Sequence, residues 1–132
     1  MTHILDTSAV IAHFTGEPGR PEVEQLMESG TAGVSSATWT EFRAVLRARR
    51  LPQSVIDEAV DLYRLSLRSV PIDDRIADVA DALRAASPTR IPAMDALIAG
   101  CAIAAGAILV HADAHFAAIP ASLLKQQRLS GP

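Results

Sequence analysis

The sequence predicts an α/β fold, a mainly parallel sheet of four or five strands with helices on both faces, and three observations predict it. Short apolar segments of strand length alternate with longer ones whose apolar residues recur at helical spacing, the pattern that builds parallel sheets through helical crossovers. A chain of 132 residues, 49% hydrophobic, is long enough for one core and too short for two. No internal repeat, low-complexity run or Gly/Ser/Pro-rich linker divides it, so residues 1–132 are expected to form a single unit, with 126–132 a frayed tail.

The elements follow in order. His3 to Leu5 is a short apolar strand broken by Asp6, and Ser8 to Phe14 is a brief helix ending in the Gly16, Pro18, Gly19 turn cluster. Pro21, with Glu22 and Glu24 near the positive helix end, opens a second helix that runs to about Ser29. Thr31 to Ser35 is a short strand interrupted by Gly33. Thr38 and Glu41 have capping-box spacing at the start of a helix through Phe42, Val45 and Leu46 to Arg50. From Gln53 to Arg68 the apolar positions keep helical spacing. Val70 to Ile72 is a strand despite Pro71, and Asp73 or Asp74 caps a helix that ends at Ser87 and Pro88. Pro92 opens an Ala/Gly-rich helix to Gly106 that is expected to pack closely on its neighbours, and Ala107 to Val110 is a buried strand. A loop or helical turn at His111 to Phe116 and a weak element at Ile119 to Leu124 complete the reading. Trp39, Phe42 and Tyr63 sit in helical apolar patterns and are expected to be core anchors rather than base-stacking groups.

Composition excludes several classes. Cys101 is the single cysteine, which excludes a disulfide framework within the chain and a Cys-based zinc site. The segment MTHILDTSAV has no basic stretch followed by a long apolar one, so no secretion signal is expected and the mature chain is expected to start here. The longest stretch free of charge and of His, Ala96 to Val110, falls short of the roughly 18 residues a membrane span needs, so no membrane anchor is expected, and the lone cysteine fits a reducing, cytoplasmic setting. A net charge of −3 argues against holding nucleic acid by bulk positive charge, while leaving room for local basic patches or metal-assisted phosphate contacts.

In open α/β sheets ligands collect beyond the carboxyl ends of the strands. Asp6 and Asp113 each follow an apolar strand, and Glu41 and Asp95 lie in the first turns of predicted helices facing the same edge. Each acid has two readings: Asp6 and Asp95 as helix-start acids, Glu41 as the partner in a capping box and Asp113 as a turn former, or all as oxygen ligands. Taken together they are a cluster that would repel itself unless a cation compensated it, and Mg2+ or Mn2+ prefers such ligands.

The segments ILDTSAVIA around Asp6, TEFRAVL around Glu41, MDALIAGCAIAAGAILV containing Asp95 and the HAD ending at Asp113 resemble, over nearly the whole chain, the PIN-domain family of metal-dependent ribonucleases, especially the VapC-like toxins of bacterial toxin-antitoxin pairs. The resemblance implies a three-layer α/β/α fold, Mg2+ or Mn2+ held by Asp6, Glu41, Asp95 and Asp113 as the catalytic and metal-binding set, hydrolysis of RNA phosphodiester bonds, a homodimer and a cognate antitoxin protein as partner. This chain departs from the family pattern around the last acid, carrying His111 and His115 where Thr, Ser or Asn two places before it, and Asp two places after it, are common. Two histidines in a loop read as ordinary surface groups.

Thr7 and Ser8 offer hydroxyls to a ligand oxygen or phosphate, or cap the first helix. Arg43, Arg47 and Arg50 recur at helical spacing with Arg49 adjacent, a positive face for RNA or a merely solvated one. Two other readings stand beside the nuclease: a phospho-receiver-like signalling module, for which Asp73 and Lys125 are imperfect stand-ins, and a PIN-like module that binds RNA or protein without cleaving.

Overall fold

The computed structural model describes residues 1–131. Its elements are β1 (His3–Leu5), α1 (Thr7–Thr15), α2 (Arg20–Glu28), β2 (Ala32–Ser35), α3 (Ala37–Ala48), α4 (Gln53–Ser66), β3 (Arg68–Val70), α5 (Asp74–Ala86), α6 (Ala93–Ala105), β4 (Ile108–His111), α7 (Ala114–Ala117) and β5 (Gln126–Arg128). The sheet is five-stranded in the order β3-β2-β1-β4-β5. Every pairing is parallel, with Leu5 opposite Val34 on one side and Val110 on the other.

Successive strand residues point to opposite faces, and the core divides accordingly. Leu5, Val34 and Val110 pack among α1 to α4 with Trp39, Phe42, Val60 and Tyr63. Ile4 and Leu109 pack on the other face with Leu83, Ile98 and Phe116. The result is the three-layer α/β/α arrangement, and the aromatic residues expected in the core are there: Trp39 is 3% exposed, Phe42 0% and Tyr63 8%. Gly33 fits β2 because strand β3 passes close by; a Cβ there would stand 2.8 Å from the Arg68 carbonyl oxygen. The expected close packing of the Ala/Gly-rich helix is found at Gly100, where a Cβ would stand 3.2 Å from Ile76 O of α5.

Three boundaries differ from the sequence reading. β3 is Arg68–Val70, not 70–72, because Leu67 already turns extended (φ −122, ψ 126) and Pro71, lacking an N–H, closes the strand rather than joining it. Segment 119–124 forms neither strand nor helix, although Ile119 and Leu124 are buried. Residues 126–128, assigned above to a frayed tail, are the edge strand β5, pairing Leu109 with Gln126 and His111 with Arg128; Leu129 beyond it is buried, and Pro132 lies outside the described residues. Among the described residues no helix is long and apolar enough to cross a membrane.

Candidate active site

The carboxyl ends of β1 and β4 lie side by side at the centre of the sheet, tied by a hydrogen bond from Asp6 N–H to Val110 O (2.8 Å). Asp6 leaves β1 in extended conformation and caps α1, its Oδ2 accepting from Ser8 N–H at 3.0 Å and from the Ser8 hydroxyl at 2.6 Å. It is 4% exposed. Burial raises its carboxyl above the usual range, the Ser8 hydrogen bonds oppose that, and the charge of Asp113 adds to it. Capping and membership of the acidic site are therefore simultaneous duties of Asp6. Ser8 Oγ also accepts from Ala112 N–H at 2.9 Å, which fastens the start of α1 to the loop that carries Asp113.

Glu41 is not the partner in a capping box. Helix α3 starts at Ala37, Thr38 is fully buried within it, and its N-cap residue Ser36 makes no side-chain cap hydrogen bond. The Glu41 carboxylate turns instead to Thr7, whose hydroxyl donates to Oε1 at 2.6 Å and stands 3.1 Å from Thr38 Oγ1. A tertiary partner has displaced the local one. Burial raises the Glu41 carboxyl, Thr7 opposes it, and the charges of Asp6 and Asp113 add to the rise.

Asp95 is in the first turn of α6, its side chain 18% exposed. Its carboxyl is pushed up to about 6, first by burial and then by the charges of Asp6, Asp113 and Glu41, with His115 opposing. That combination places the four acids within one another's electrostatic reach at one edge of the sheet. Asp113 caps the short α7, its Oδ1 accepting from His115 N–H at 2.9 Å.

The two histidines part company. His111, expected at the surface, is the last residue of β4 and is fully buried. Its Nδ1 accepts the Asp113 N–H at 3.2 Å, a turn contact across two residues that a Ser, Thr or Asn side chain also makes. Its Nε2 donates to Gln126 Oε1 at 2.8 Å, and the Gln126 amide is oriented by donating to Phe116 O (2.9 Å) and Ile119 O (3.1 Å). This chain of bonds places the imidazole proton on Nε2 and fixes the backbone from which Asp113 projects. His115 is the exposed one, 71% accessible, with Nδ1 3.3 Å from Asp113 Oδ1 and 3.8 Å from Asp95 Oδ2. One donor atom from each of Asp95, Asp113 and His115 lies within 4.8 Å of the others. Departure from the resembled family's pattern around the last acid is the signal that pointed to both histidines; burial of His111 by a glutamine 15 residues later had no local signal.

Among the described residues no Arg or Lys forms an ion pair with Asp6, Glu41, Asp95 or Asp113. Carboxylates desolvated in this way repel one another, and the oxygen-rich donor set suits a hard divalent cation that keeps part of its water shell. Arg43 is half-buried and Arg47 exposed on α3, while Arg49 and Arg50 fall beyond the end of the helix, Arg50 in the left-handed region at φ 60. The groups a phospho-receiver would use are committed elsewhere: Asp73 caps α5 through Ile76 N–H, and Lys125 precedes the edge strand.

The model of the PIN domain family matches residues 3–122. No curated protein matches the sequence. Among solved structures the fold is similar to VapBC2 from Rickettsia felis bound to a DNA fragment from its promoter, with a TM-score of 0.81, 21% identity, and 98% of this chain and 100% of that chain covered. DNA-bound VapBC from Salmonella typhimurium gives a TM-score of 0.80 at 21% identity over 97% of this chain and 98% of that one. VapC20 from Mycobacterium tuberculosis, described as a Sarcin-Ricin loop cleaving toxin, gives 0.68 at 18% identity over 89% and 94%.

Proposed function

The chain belongs to the PIN domain family, and from that premise we propose that it is a metal-dependent endoribonuclease, the toxin of a type II toxin-antitoxin pair. The observation that carries the reading is the gathering of Asp6, Glu41, Asp95 and Asp113 at the carboxyl edge of the central strands, with the Asp95 carboxyl pushed to about 6 and no internal Arg or Lys paired with them among the described residues.

In this reading the four carboxylates hold Mg2+ or Mn2+. A divalent ion bound there supplies Lewis acidity to a phosphodiester and lowers the pKa of a water nucleophile. The chain's own residues supply position. Thr7 fixes the Glu41 carboxylate, Ser8 fixes that of Asp6 and locks it to the Asp113 loop, and these hydroxyls, engaged inside the site, act on the acids before they act on substrate. Arg43 and Arg47, without ion-pair partners among the described residues, face the RNA backbone and steer it to the acidic edge.

The partners follow the same reading: an RNA substrate, a cognate antitoxin and a second copy of the chain in a homodimer, in the cytoplasm. An apolar groove of about 480 Å³ between α1, α2 and α4, lined by Phe14, Met27, Val55, Leu62, Tyr63 and Leu65, supports the antitoxin. Leu62 is 58% and Leu65 84% exposed, an apolar rim that a partner segment would cover. The similar structures include toxin-antitoxin assemblies, among them a complex from Klebsiella pneumoniae.

The test is incubation of the purified protein with mixed RNA, with Mn2+, with Mg2+ and with chelator, repeated for Asp6→Asn and Asp95→Asn. Cleavage that depends on the ion and disappears in both folded variants is the expected result. Equal cleavage in chelator overturns the metal requirement, full activity of both variants overturns the residue assignment, and retention of RNA without cleavage leaves a binding module.

A further inference from the structure

Resting on the metal-dependent reading above, we propose that His115 is a nitrogen ligand of the bound ion and that the site consequently selects a first-row transition ion such as Mn2+ over Mg2+. Asp95, Asp113 and His115 offer donor atoms within 4.8 Å of one another, and His115 Nδ1 stands 3.3 Å from Asp113 Oδ1 and 3.8 Å from Asp95 Oδ2. Neighbouring corners of an octahedron with bonds of about 2.1 Å are about 3.0 Å apart, and opposite corners about 4.2 Å. Both separations from the imidazole nitrogen fall between these limits, so one ion reaches His115 together with either carboxylate, and the 4.8 Å bound on the whole set leaves a small side-chain adjustment to bring all three donors onto it. The imidazole sits at the open rim, 71% exposed, and its backbone N–H is held by Asp113 Oδ1, which keeps the ring beside the two carboxylates.

No other nearby histidine offers a nitrogen. Both ring nitrogens of His111 are occupied, Nδ1 by the Asp113 N–H and Nε2 by Gln126 Oε1. The consequence is chemical. An all-oxygen site suits Mg2+, which gives up its water shell reluctantly, whereas an imidazole in the set raises affinity for transition ions far more than for Mg2+. Position 115 thus sets which cation the acidic edge accepts, and an aspartate there would return the site to oxygen ligands alone.

The experiment uses the full chain stripped of metal by chelator, with Mn2+ and Mg2+ as probes and no RNA present. Mn2+ binding is followed by electron paramagnetic resonance, Mg2+ by competition, and nitrogen ligation by the 14N coupling in pulsed spectra of the Mn2+-loaded protein. Wild type is expected to show imidazole 14N coupling that disappears in His115→Asp and His115→Ala. The Mn2+-to-Mg2+ affinity ratio is expected to fall in His115→Asp by at least about tenfold, the lower end of what even outer partners of metal ligands contribute. An unchanged ratio, absence of the coupling in wild type, or a coupling that persists in His115→Asp each overturns the proposal; a wild type that holds both ions through oxygen alone does so while leaving the nuclease reading intact. Binding of neither ion overturns both.

Discussion

Replacing Asp95 by Asn in the metal-free chain should stabilise it at neutral pH, a consequence of gathering carboxylates for a cation. The Asp95 carboxyl is raised from 3.8 to about 6, burial being the largest cause and the charges of Asp6, Asp113 and Glu41 the next. An acid whose folded value lies above its unfolded one destabilises the fold wherever it is ionised in both states. That burden is complete above about pH 6 to 7, fades as the pH falls through the folded value, and vanishes below about 3, where both states are protonated. A rise of about two pKa units at about 1.4 kcal/mol each sets an upper bound of about 3 kcal/mol. The side chain is 18% exposed at an open edge, so solvent screening reduces this to about 1–2 kcal/mol. Asparagine keeps the shape and removes the charge. Urea unfolding in chelator, followed by the fluorescence of Trp39, the single tryptophan, is therefore expected to show Asp95→Asn more stable than wild type by that amount at pH 8 and nearly equal to it at about pH 3. Saturating Mn2+ should reverse the order, because wild type alone gains binding free energy on folding. A variant less stable than wild type at pH 8 in chelator, or a difference that does not change with pH, would refute the reasoning.

Three further outcomes are expected. Gln126→Ala leaves the buried Nε2–H of His111 without its acceptor and the Ile119 carbonyl without its amide donor, while Phe116 O keeps the Ile119 N–H, so unfolding free energy should drop by about 1–3 kcal/mol in denaturant titrations; no loss would mean water replaces the amide at once. Thr7→Val frees the Glu41 carboxylate while leaving the helix start intact, so calorimetry should show divalent-ion affinity weakened by about tenfold with an unchanged circular dichroism spectrum, and unaltered affinity would remove Thr7 from the positioning network. Arg43→Ala with Arg47→Ala should weaken RNA binding and lower the slope of log affinity against log salt by about one per arginine, measured by fluorescence anisotropy with Asp95→Asn protein so that substrate survives; an unchanged slope would assign the arginines to another surface.

The alternation of strands and helices, the parallel sheet and the acids at its carboxyl edge were legible because each leaves a local trace: an apolar run, a helical stripe, an acid where a strand stops. Features without such a trace were misplaced. β5, Gln126–Arg128, is a polar tripeptide with no apolar run and reads as a tail; what holds it is pairing to β4 and the amide of Gln126 turned inward to His111. Pro71 moved a strand boundary by ending the ladder it was assigned to.

Thr38 and Glu41 carry a capping box by spacing, yet Glu41 bonds Thr7, 34 residues away, and the helix begins without it. His111 reads as a loop residue and is sealed inside by a glutamine contributed from the far end of the chain. These failures share a cause. Glu41 gives up its local partner for a hydrogen bond to a distant element, while His111 keeps its turn contact and adds a distant bond to Gln126, and both residues border the acidic edge: Glu41 through Thr7 beside Asp6, and His111 through the Asp113 backbone. Local rules are expected to give way where a chain holds charges in a geometry that folding alone would not favour. The misreadings therefore trace the supports of the site, and they locate the second layer of residues, Thr7, Ser8, His111 and Gln126, whose replacement should disturb ion binding without touching a ligand.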